Sequence, residues 1–216
     1  MARSSVSFVC QQCGAISPKW SGRCDDCGAW NTLAEERNEA PSGPGKRAQG
    51  RRISLEALDL PPNTKPLPRH LSHISEFDRV SGGGLVPGSA TLIGGDPGIG
   101  KSTLLLQMVC KLASGGLKAA YISGEESADQ VRMRARRLGL SDTNVQLATA
   151  TNASDIAASL GGADGPDVIV IDSIQTMYLP TLDSAPGTVS QVRATAQELI
   201  RSAKQQGAAL LIVGHV

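Results

Sequence analysis

The chain has 216 residues, of which 40% are hydrophobic and 19% are charged, a composition that argues against wholesale disorder. Its 21 basic and 20 acidic residues nearly cancel, so any case for a nucleic-acid partner has to be local. No apolar run approaches the roughly 20 residues that cross a bilayer, and the N-terminus has no apolar signal core. These features predict a cytoplasmic protein with no membrane association.

Residues 1–33 hold four of the five cysteines, in two C-x-x-C pairs formed by Cys10 with Cys13 and by Cys24 with Cys27. Four thiolates are the number that a tetrahedral structural Zn²⁺ takes, and they leave no open position for water. The alternatives are two disulfides, which are uncommon in the cytosol, or a thioredoxin-like redox site, which needs only one pair. The doubled spacing therefore predicts a small zinc ribbon whose metal is structural.

Residues 34–73 have a different composition. Up to about residue 52 they are mostly Glu, Pro, Gly, Lys and Arg, with almost nothing apolar to bury, and several prolines follow between residues 61 and 68. This stretch is predicted to be a linker and an extended lead-in. The second module would then cover residues 74–216, and because it stops directly after an apolar strand pattern, we expect it to be truncated at its C-terminus.

The second module alternates short apolar runs with helical patterns. The apolar runs are rich in branched residues and predict strands at 90–94, 119–123, 145–149, 167–172 and 209–214. Helices are predicted at about 101–114, 127–139, 153–160 and 188–206. The alternation predicts an α/β fold with a mostly parallel sheet covered on both faces. Cys110, in a helix that is apolar on several faces, is expected in the core.

A phosphate-binding loop lies between the first predicted strand and helix of this module. The motif G-x-x-x-x-G-K-[ST] is matched by Gly95, Asp96, Pro97, Gly98, Ile99, Gly100, Lys101 and Ser102. The glycines allow backbone N–H groups to surround phosphates, and the helix N-terminus adds its positive dipole end. We expect ATP here, with Lys101 at its β- and γ-phosphates and Ser102 on Mg²⁺.

Two other predicted strands end in carboxylates. The run Val168–Asp172 matches the Walker B element, in which a buried strand delivers the Asp that holds the Mg²⁺ shell. The strand at 119–123 leads into Glu125 and Glu126. Because the C-terminal ends of parallel strands converge on the ligand crevice, these glutamates are candidates for orienting an attacking water. An equally open alternative is that they only charge the first turn of the next helix.

Together these features resemble the RecA/DnaB superfamily of P-loop ATPases and, within it, the bacterial RadA (Sms) family of DNA-repair proteins. The resemblance rests on the cysteine ribbon with Trp20 and Trp30 and on the stretches SEFDRVSGGGLVPGS (75–89), GGDPGIGKST (94–103), YISGEES (121–127) and IDSIQT (171–176). It implies a RecA-like ATPase core behind a zinc ribbon. It further implies a DNA-dependent, helicase-like motor on single-stranded or branched DNA in recombinational repair, usually a homo-hexamer, with a recombinase partner.

The resemblance also gives roles to individual residues. Glu125 takes the place of the glutamate that activates water, Lys101 acts with it in catalysis, and Thr103 and Asp172 join the nucleotide-binding residues. His215 falls where relatives place a polar residue that senses the γ-phosphate. An arginine from a neighbouring subunit would complete the site.

A DNA-contacting loop is implied at Gln175 to about Ser190. At the start of the next helix, Gln191 and Arg193 either meet DNA phosphates or form a solvated helix face. The basic run of Arg132, Arg134, Arg136 and Arg137 is interpreted as solvent-facing.

Two other functions are compatible with the motifs. A KaiC-like signalling ATPase or autokinase shares the P-loop and the paired glutamates but does not use DNA, and the zinc ribbon counts against it. A pure interaction module would use nucleotide only to set its shape. DNA-stimulated turnover separates the motor from both.

Overall fold

The computed structural model describes residues 5–10, 15–25, 28–38, 68–162 and 164–215. The chain divides into two compact units, Met1–Pro66 and Leu67–Val216. In the described part of the chain, no helix has both the length and the apolar content to span a membrane.

The first unit contains a three-stranded antiparallel sheet in the order β2-β1-β3. Its strands are β1 (Ser5–Cys10), β2 (Ile16–Ser17) and β3 (Leu33–Asn38). The sequence interpretation gave residues 34–38 to the linker, and the structure differs because β3 pairs with β1 along its whole length. Composition indicated a linker since LAEERN is mostly polar, whereas strand pairing uses backbone groups that every residue carries.

The second unit is built on a five-stranded parallel sheet in the order β4-β8-β7-β5-β6. The strands are β4 (Ala90–Gly95), β5 (Ala119–Ser123), β6 (Val145–Thr149), β7 (Val168–Asp172) and β8 (Ala209–His215). Each lies within one residue of its predicted bounds. Every residue of β5 and β7 is buried, as expected of central strands with helices on both faces. The predicted α/β fold is confirmed.

The helices are α1 (Ser75–Val80), α2 (Lys101–Ser114), α3 (Ala128–Arg137), α4 (Ala153–Ser159) and α5 (Val189–Gln206). The last four were predicted, and side chains cap the N-termini of α3, α4 and α5. Ser127 and Gln130 form a capping box on α3, and Thr188 accepts a hydrogen bond at the start of α5. The sequence did not indicate α1, because six residues are too few to show a helical period.

The two faces of the sheet bury two apolar clusters. The residues of β7 alternate between them, so that Val168 and Val170 face the α2 side while Ile169 and Ile171 face α4 and α5. Cys110 belongs to the α2 cluster and is buried, as predicted. The central strands are therefore held from both sides, which gives their C-terminal ends a rigid base.

The second unit includes residues before 74. His70 and Leu85 exchange two backbone hydrogen bonds of 2.8 and 2.9 Å, and Arg69 Nη1 donates to the carbonyl oxygens of Ser81 and Gly84 at 3.1 and 3.2 Å. Gly84 has φ +105°, and a Cβ on it would lie 2.6 Å from the His70 carbonyl oxygen. Only glycine allows this close approach.

Replacing Gly84 with alanine is expected to lower the free energy of unfolding by about 3 kcal/mol or more, because backbone strain adds to the clash with His70. The matched control is Gly116→Ala, where φ is +95° but no atom lies within 4 Å of the added Cβ. Chemical denaturation of both variants measures the difference. Equal losses of stability would contradict the role given to the close approach.

Candidate functional site

The C-terminal ends of four parallel strands meet at one edge of the sheet of the second unit. Ser123 at the end of β5 is paired with Asp172 at the end of β7, and Gly95 at the end of β4 is paired with His215 at the end of β8. This edge is where open parallel sheets bind their ligands. The register thus brings the phosphate loop and the predicted acidic residues into one region.

The phosphate loop forms an open cradle between β4 and α2. Gly98 and Gly100 have φ of +82° and +103°, and a Cβ on either would meet no atom within 4 Å. The backbone there needs glycine for its conformation, and the space beside it is free for phosphate oxygens. Lys101 is 7% exposed, and its Nζ donates to the carbonyl oxygens of Gly95 and Asp96 at 2.6 and 2.8 Å.

The two residues predicted to hold Mg²⁺ are hydrogen-bonded to each other. Ser102 Oγ donates to Asp172 Oδ1 at 3.0 Å, across 70 residues of sequence. The other carboxylate oxygen of Asp172 accepts from the hydroxyl of Tyr121. Hydroxyl and carboxylate oxygens are the hard ligands that Mg²⁺ prefers, so this pair fits the ion.

The two neighbouring glutamates have different surroundings. Ser173 Oγ donates to Glu125 Oε1, and His215 Nε2 lies 3.3 Å from the same oxygen. The hydrogen bond from Ser173 holds the pKa of Glu125 below its usual value, with His215 and Lys101 adding to the effect and burial opposing it. Glu125 is therefore an ionised proton acceptor at neutral pH.

Glu126 instead forms an ion pair, with its Oε2 2.6 Å from Arg134 Nη2. The residue pattern alone did not separate it from Glu125, and only the family resemblance singled out Glu125. The difference comes from the tertiary positions of Ser173 and Arg134, which lie on other elements.

The loop that carries Glu125 is held against the turn that follows β7. Gly124 N donates to the Asp172 carbonyl oxygen at 2.8 Å, and a Cβ on Gly124 would lie 2.0 Å from Thr176 Oγ1. Thr176 belongs to a short 3₁₀ turn, Ile174–Thr176. Sequence reasoning assigned no role to Gly124, Ser173 or Thr176, although all three lie in motifs that it quoted.

Arg134 is where the interpretation of the basic run was wrong. Its side chain is only 13% exposed, and Nη2 donates to the Tyr121 hydroxyl at 3.2 Å. Arg134 lies three residues after the buried Val131, on the edge of the face that α3 turns to the core, and this spacing was the available signal. The rest of the run, Arg132, Arg136 and Arg137, is exposed as predicted.

Tyr121 is fully buried. Burial and the charge of Asp172 raise the pKa of Tyr121 well above its usual value. The hydroxyl keeps its proton and can donate it to Asp172 in a hydrogen bond.

The segment after β7 is organised by Gln191. This side chain is 1% exposed, accepts a hydrogen bond from Leu179 N at 2.9 Å and donates to the carbonyl oxygens of Leu179, Leu182 and Ser184. Gln191 is thus turned inward, and both sequence-based suggestions for it, a phosphate contact or a solvated face, are wrong. Arg193 is exposed, and its contact with DNA stays a prediction.

In the first unit, Cys10 and Cys24 are buried in one cluster with Leu33. They begin equivalent turns: Cys10 N donates to the Ala15 carbonyl oxygen and Cys24 N to that of Ala29, both at 2.9 Å. Cys13 and Cys27 lie outside the described residues. Two buried thiols in repeated turns fit one half of a tetrahedral Cys₄ site.

Comparison with known families gives two matches. The profile of an AAA domain matches residues 69–216, and that of a rubredoxin metal binding domain matches residues 8–35. Among solved structures, the chain is similar to one described as an ATPase domain, with a TM-score of 0.57 at 13% identity over 69% of this chain and 64% of that one. It is also similar to the flagellar accessory protein FlaH from Methanocaldococcus jannaschii, with a TM-score of 0.52 at 17% identity, over 69% of this chain and 71% of that one.

Curated relatives are much closer in sequence. The DNA repair protein RadA of Brucella abortus is 51% identical over all of this chain and 48% of its own length. RadA of Pseudomonas aeruginosa is 50% identical over all of this chain and 48% of its own length, and RadA of Escherichia coli is 47% identical over 97% of this chain and 46% of its own length. The chain spans about half the length of these relatives.

The parallel sheet and the phosphate loop at its carboxyl edge define a RecA-like P-loop nucleotide-binding domain, preceded by a ribbon of the metal-binding type. The chain belongs to the AAA domain family and, within it, to the RadA group of DNA-repair proteins.

Replacing Gln191 with alanine is expected to loosen the segment from Leu179 to Ser184. The loss of its buried hydrogen bonds should lower the free energy of unfolding by about 1–3 kcal/mol. The amide of Leu179 should also exchange its hydrogen faster. Arg193→Ala, an exposed change two residues away, should stay within about 0.5 kcal/mol. Unchanged exchange at Leu179 in Gln191→Ala would refute the assigned role.

Proposed function

We propose that the second unit binds ATP with Mg²⁺ and hydrolyses it, and that the whole protein couples hydrolysis to single-stranded or branched DNA during repair. The observation that carries the proposal is the contact of Ser102 with Asp172 beside Lys101, with Glu125 at the next strand end. The phosphate loop, a hydroxyl and a carboxylate of the kinds that Mg²⁺ prefers, and the carboxylate of Glu125 meet at this edge.

Each residue has a distinct task in the proposed reaction. Lys101 exchanges the loop carbonyl oxygens for the terminal phosphates, where its charge offsets the charge that develops during transfer. Mg²⁺, held by Ser102 and the shell around Asp172, would neutralise the phosphate oxygens. Glu125 orients a water and accepts its proton, while Ser173 and His215 hold its carboxylate in place.

The link to DNA is proposed to run through the segment after β7. Gln175 Nε2 donates to the His215 carbonyl oxygen at 3.2 Å, and His215 in turn contacts Glu125. A DNA strand that displaced the segment beyond Gln175 would change the position of Glu125 through these contacts. The relatives' name, DNA repair protein, supports DNA as the partner.

A ring assembly is the remaining part of the proposal. In the described residues, Arg134 is the arginine that contacts the site, and it is engaged with Glu126 and Tyr121. An arginine that neutralises the γ-phosphate is therefore proposed to come from a neighbouring copy, in a cytoplasmic homo-hexamer that works with a recombinase.

The first unit is proposed to bind one structural Zn²⁺ through Cys10, Cys13, Cys24 and Cys27. Support comes from the repeated turns at Cys10 and Cys24 and from the rubredoxin-type match. The zinc would supply the stability that so small a core lacks.

ATP hydrolysis by the full-length protein, with and without single-stranded DNA, tests the proposed activity. DNA should stimulate turnover, Lys101→Ala should remove it, and Glu125→Gln should lower kcat at least about 100-fold, because general bases contribute that much. Lys111→Ala and Glu76→Gln, which change exposed side chains of the same types, should retain it. An ATP hydrolysis rate that does not change when DNA is added would contradict the motor proposal and favour a KaiC-like signalling ATPase.

Metal analysis tests the zinc ribbon. The purified protein should carry about one Zn²⁺ per chain, and Cys24→Ser should lose most of it because a ligand is removed. Cys110→Ser, which changes the remaining cysteine in the α2 cluster, should keep the full zinc content. Equal zinc contents in the two variants would be inconsistent with a Cys₄ site.

A further inference from the structure

Asp172 has each carboxylate oxygen held by a different element. Ser102 Oγ from α2 donates to Oδ1 at 3.0 Å, and the Tyr121 hydroxyl from β5 donates to Oδ2. Asp172 is 4% exposed and Tyr121 is fully buried. The orientation of the proposed magnesium-binding carboxylate is thus determined on its buried side by Tyr121.

The direction of this hydrogen bond follows from the groups on either side of Tyr121, because an ionised carboxylate such as Asp172 only accepts. A guanidinium group only donates, and Arg134 Nη2 lies 3.2 Å from the Tyr121 oxygen, so that oxygen accepts from Arg134. The single hydroxyl proton of Tyr121 is then left for Asp172. The chain from Arg134 through Tyr121 to Asp172 is polarised in one direction, and its charged ends strengthen both bonds.

Arg134 makes a short ion pair with Glu126 and a longer one with Asp172. Arg134 Nη2 lies 2.6 Å from Glu126 Oε2 but 4.0 Å from Asp172 Oδ2. An arginine closer to Asp172 than this would compete more strongly with a divalent cation for its charge. Because Glu126 takes the closer contact, Asp172 keeps its negative charge available to a metal ion.

We propose that Tyr121 and Arg134 are positioning residues for the metal carboxylate Asp172, and that Glu126 serves this network instead of activating water. The inference rests on the proposed ATP and Mg²⁺ site and deepens it. Partners that orient a metal ligand typically change metal affinity roughly 10-fold to 100-fold when removed. Loss of the Tyr121 hydroxyl should therefore act on the metal and leave phosphate-loop contacts intact.

The test uses Mn²⁺ as a paramagnetic stand-in for Mg²⁺, titrated into the full-length protein with ADP and without DNA, and followed by electron paramagnetic resonance. Tyr121→Phe should weaken Mn²⁺ binding roughly 10-fold or more. Affinity for a fluorescent ADP analogue in EDTA should stay unchanged. Tyr178→Phe, the matched control, changes the other tyrosine of the chain and should leave Mn²⁺ affinity unchanged. Thermal unfolding of each variant confirms that it is folded.

The glutamates provide a second comparison. Glu125→Gln should lose hydrolysis and keep Mn²⁺ affinity. Glu126→Gln should weaken Mn²⁺ binding and raise the Mg²⁺ concentration needed for half-maximal hydrolysis, while kcat at saturating Mg²⁺ changes little. If Glu126→Gln loses kcat instead, with unchanged Mn²⁺ affinity, the role assigned to Glu126 is wrong.

Arg134→Lys tests the same network if Tyr121→Phe does not fold. Lysine keeps the charge but lacks the planar guanidinium fork, so Mn²⁺ affinity should fall, whereas Arg137→Lys on the exposed face of α3 should not change it.

Mn²⁺ affinity equal to that of the unaltered protein in Tyr121→Phe or Arg134→Lys overturns the inference. An equal loss of ADP affinity in EDTA overturns it too, because a general structural defect would then explain the result. Failure of the unaltered protein to bind Mn²⁺ with ADP would instead refute the proposed function.

Discussion

The parallel register of β7 with β5 and β8 is the constraint on which the site depends. It sets Ser123 beside Asp172 and Ile171 beside Ile212. The polar residues of the site therefore lie at one edge of the sheet, next to the buried apolar part of the strands. A shift of one residue would turn Asp172 to the opposite face of the sheet. The two buried clusters on either side of β7 make such a shift costly, because every residue of that strand is buried.

At this edge of the sheet, the charged side chains of the site each have a hydrogen-bond or ion-pair partner. Lys101 is held by carbonyl oxygens of its own loop, and Asp172 by two hydroxyl groups. Burial makes such partners necessary, since an unpaired charge in the interior is strongly unfavourable. The adjacent Glu125 and Glu126 illustrate the result: one contacts Ser173 and His215, whereas the other is paired with Arg134.

The fold could be read from the sequence to a large extent because its signals are local. The strands and the four longer helices of the second unit follow from short apolar runs and helical patterns. Two elements were not predicted from the sequence. Helix α1 is too short to show a helical period, and β3 is polar in composition and is stabilised by its pairing with β1. The interpretation of Arg134 was wrong although its spacing from Val131 indicated the edge of the core face, because helical spacing does not identify a partner such as Tyr121 on another element.

By itself the sequence determined the α/β class, the phosphate loop, the aspartate that ends β7 and the paired cysteines, since each is encoded in a short segment with characteristic spacing. Only the tertiary structure decided which side chains meet across long distances in the chain. Tyr121 reaches Asp172 across 51 residues, and His215 reaches Glu125 across 90. Such contacts depend on strand order and register, which no short segment encodes, and they separate Glu125, which contacts Ser173 and His215, from Glu126, which pairs with Arg134.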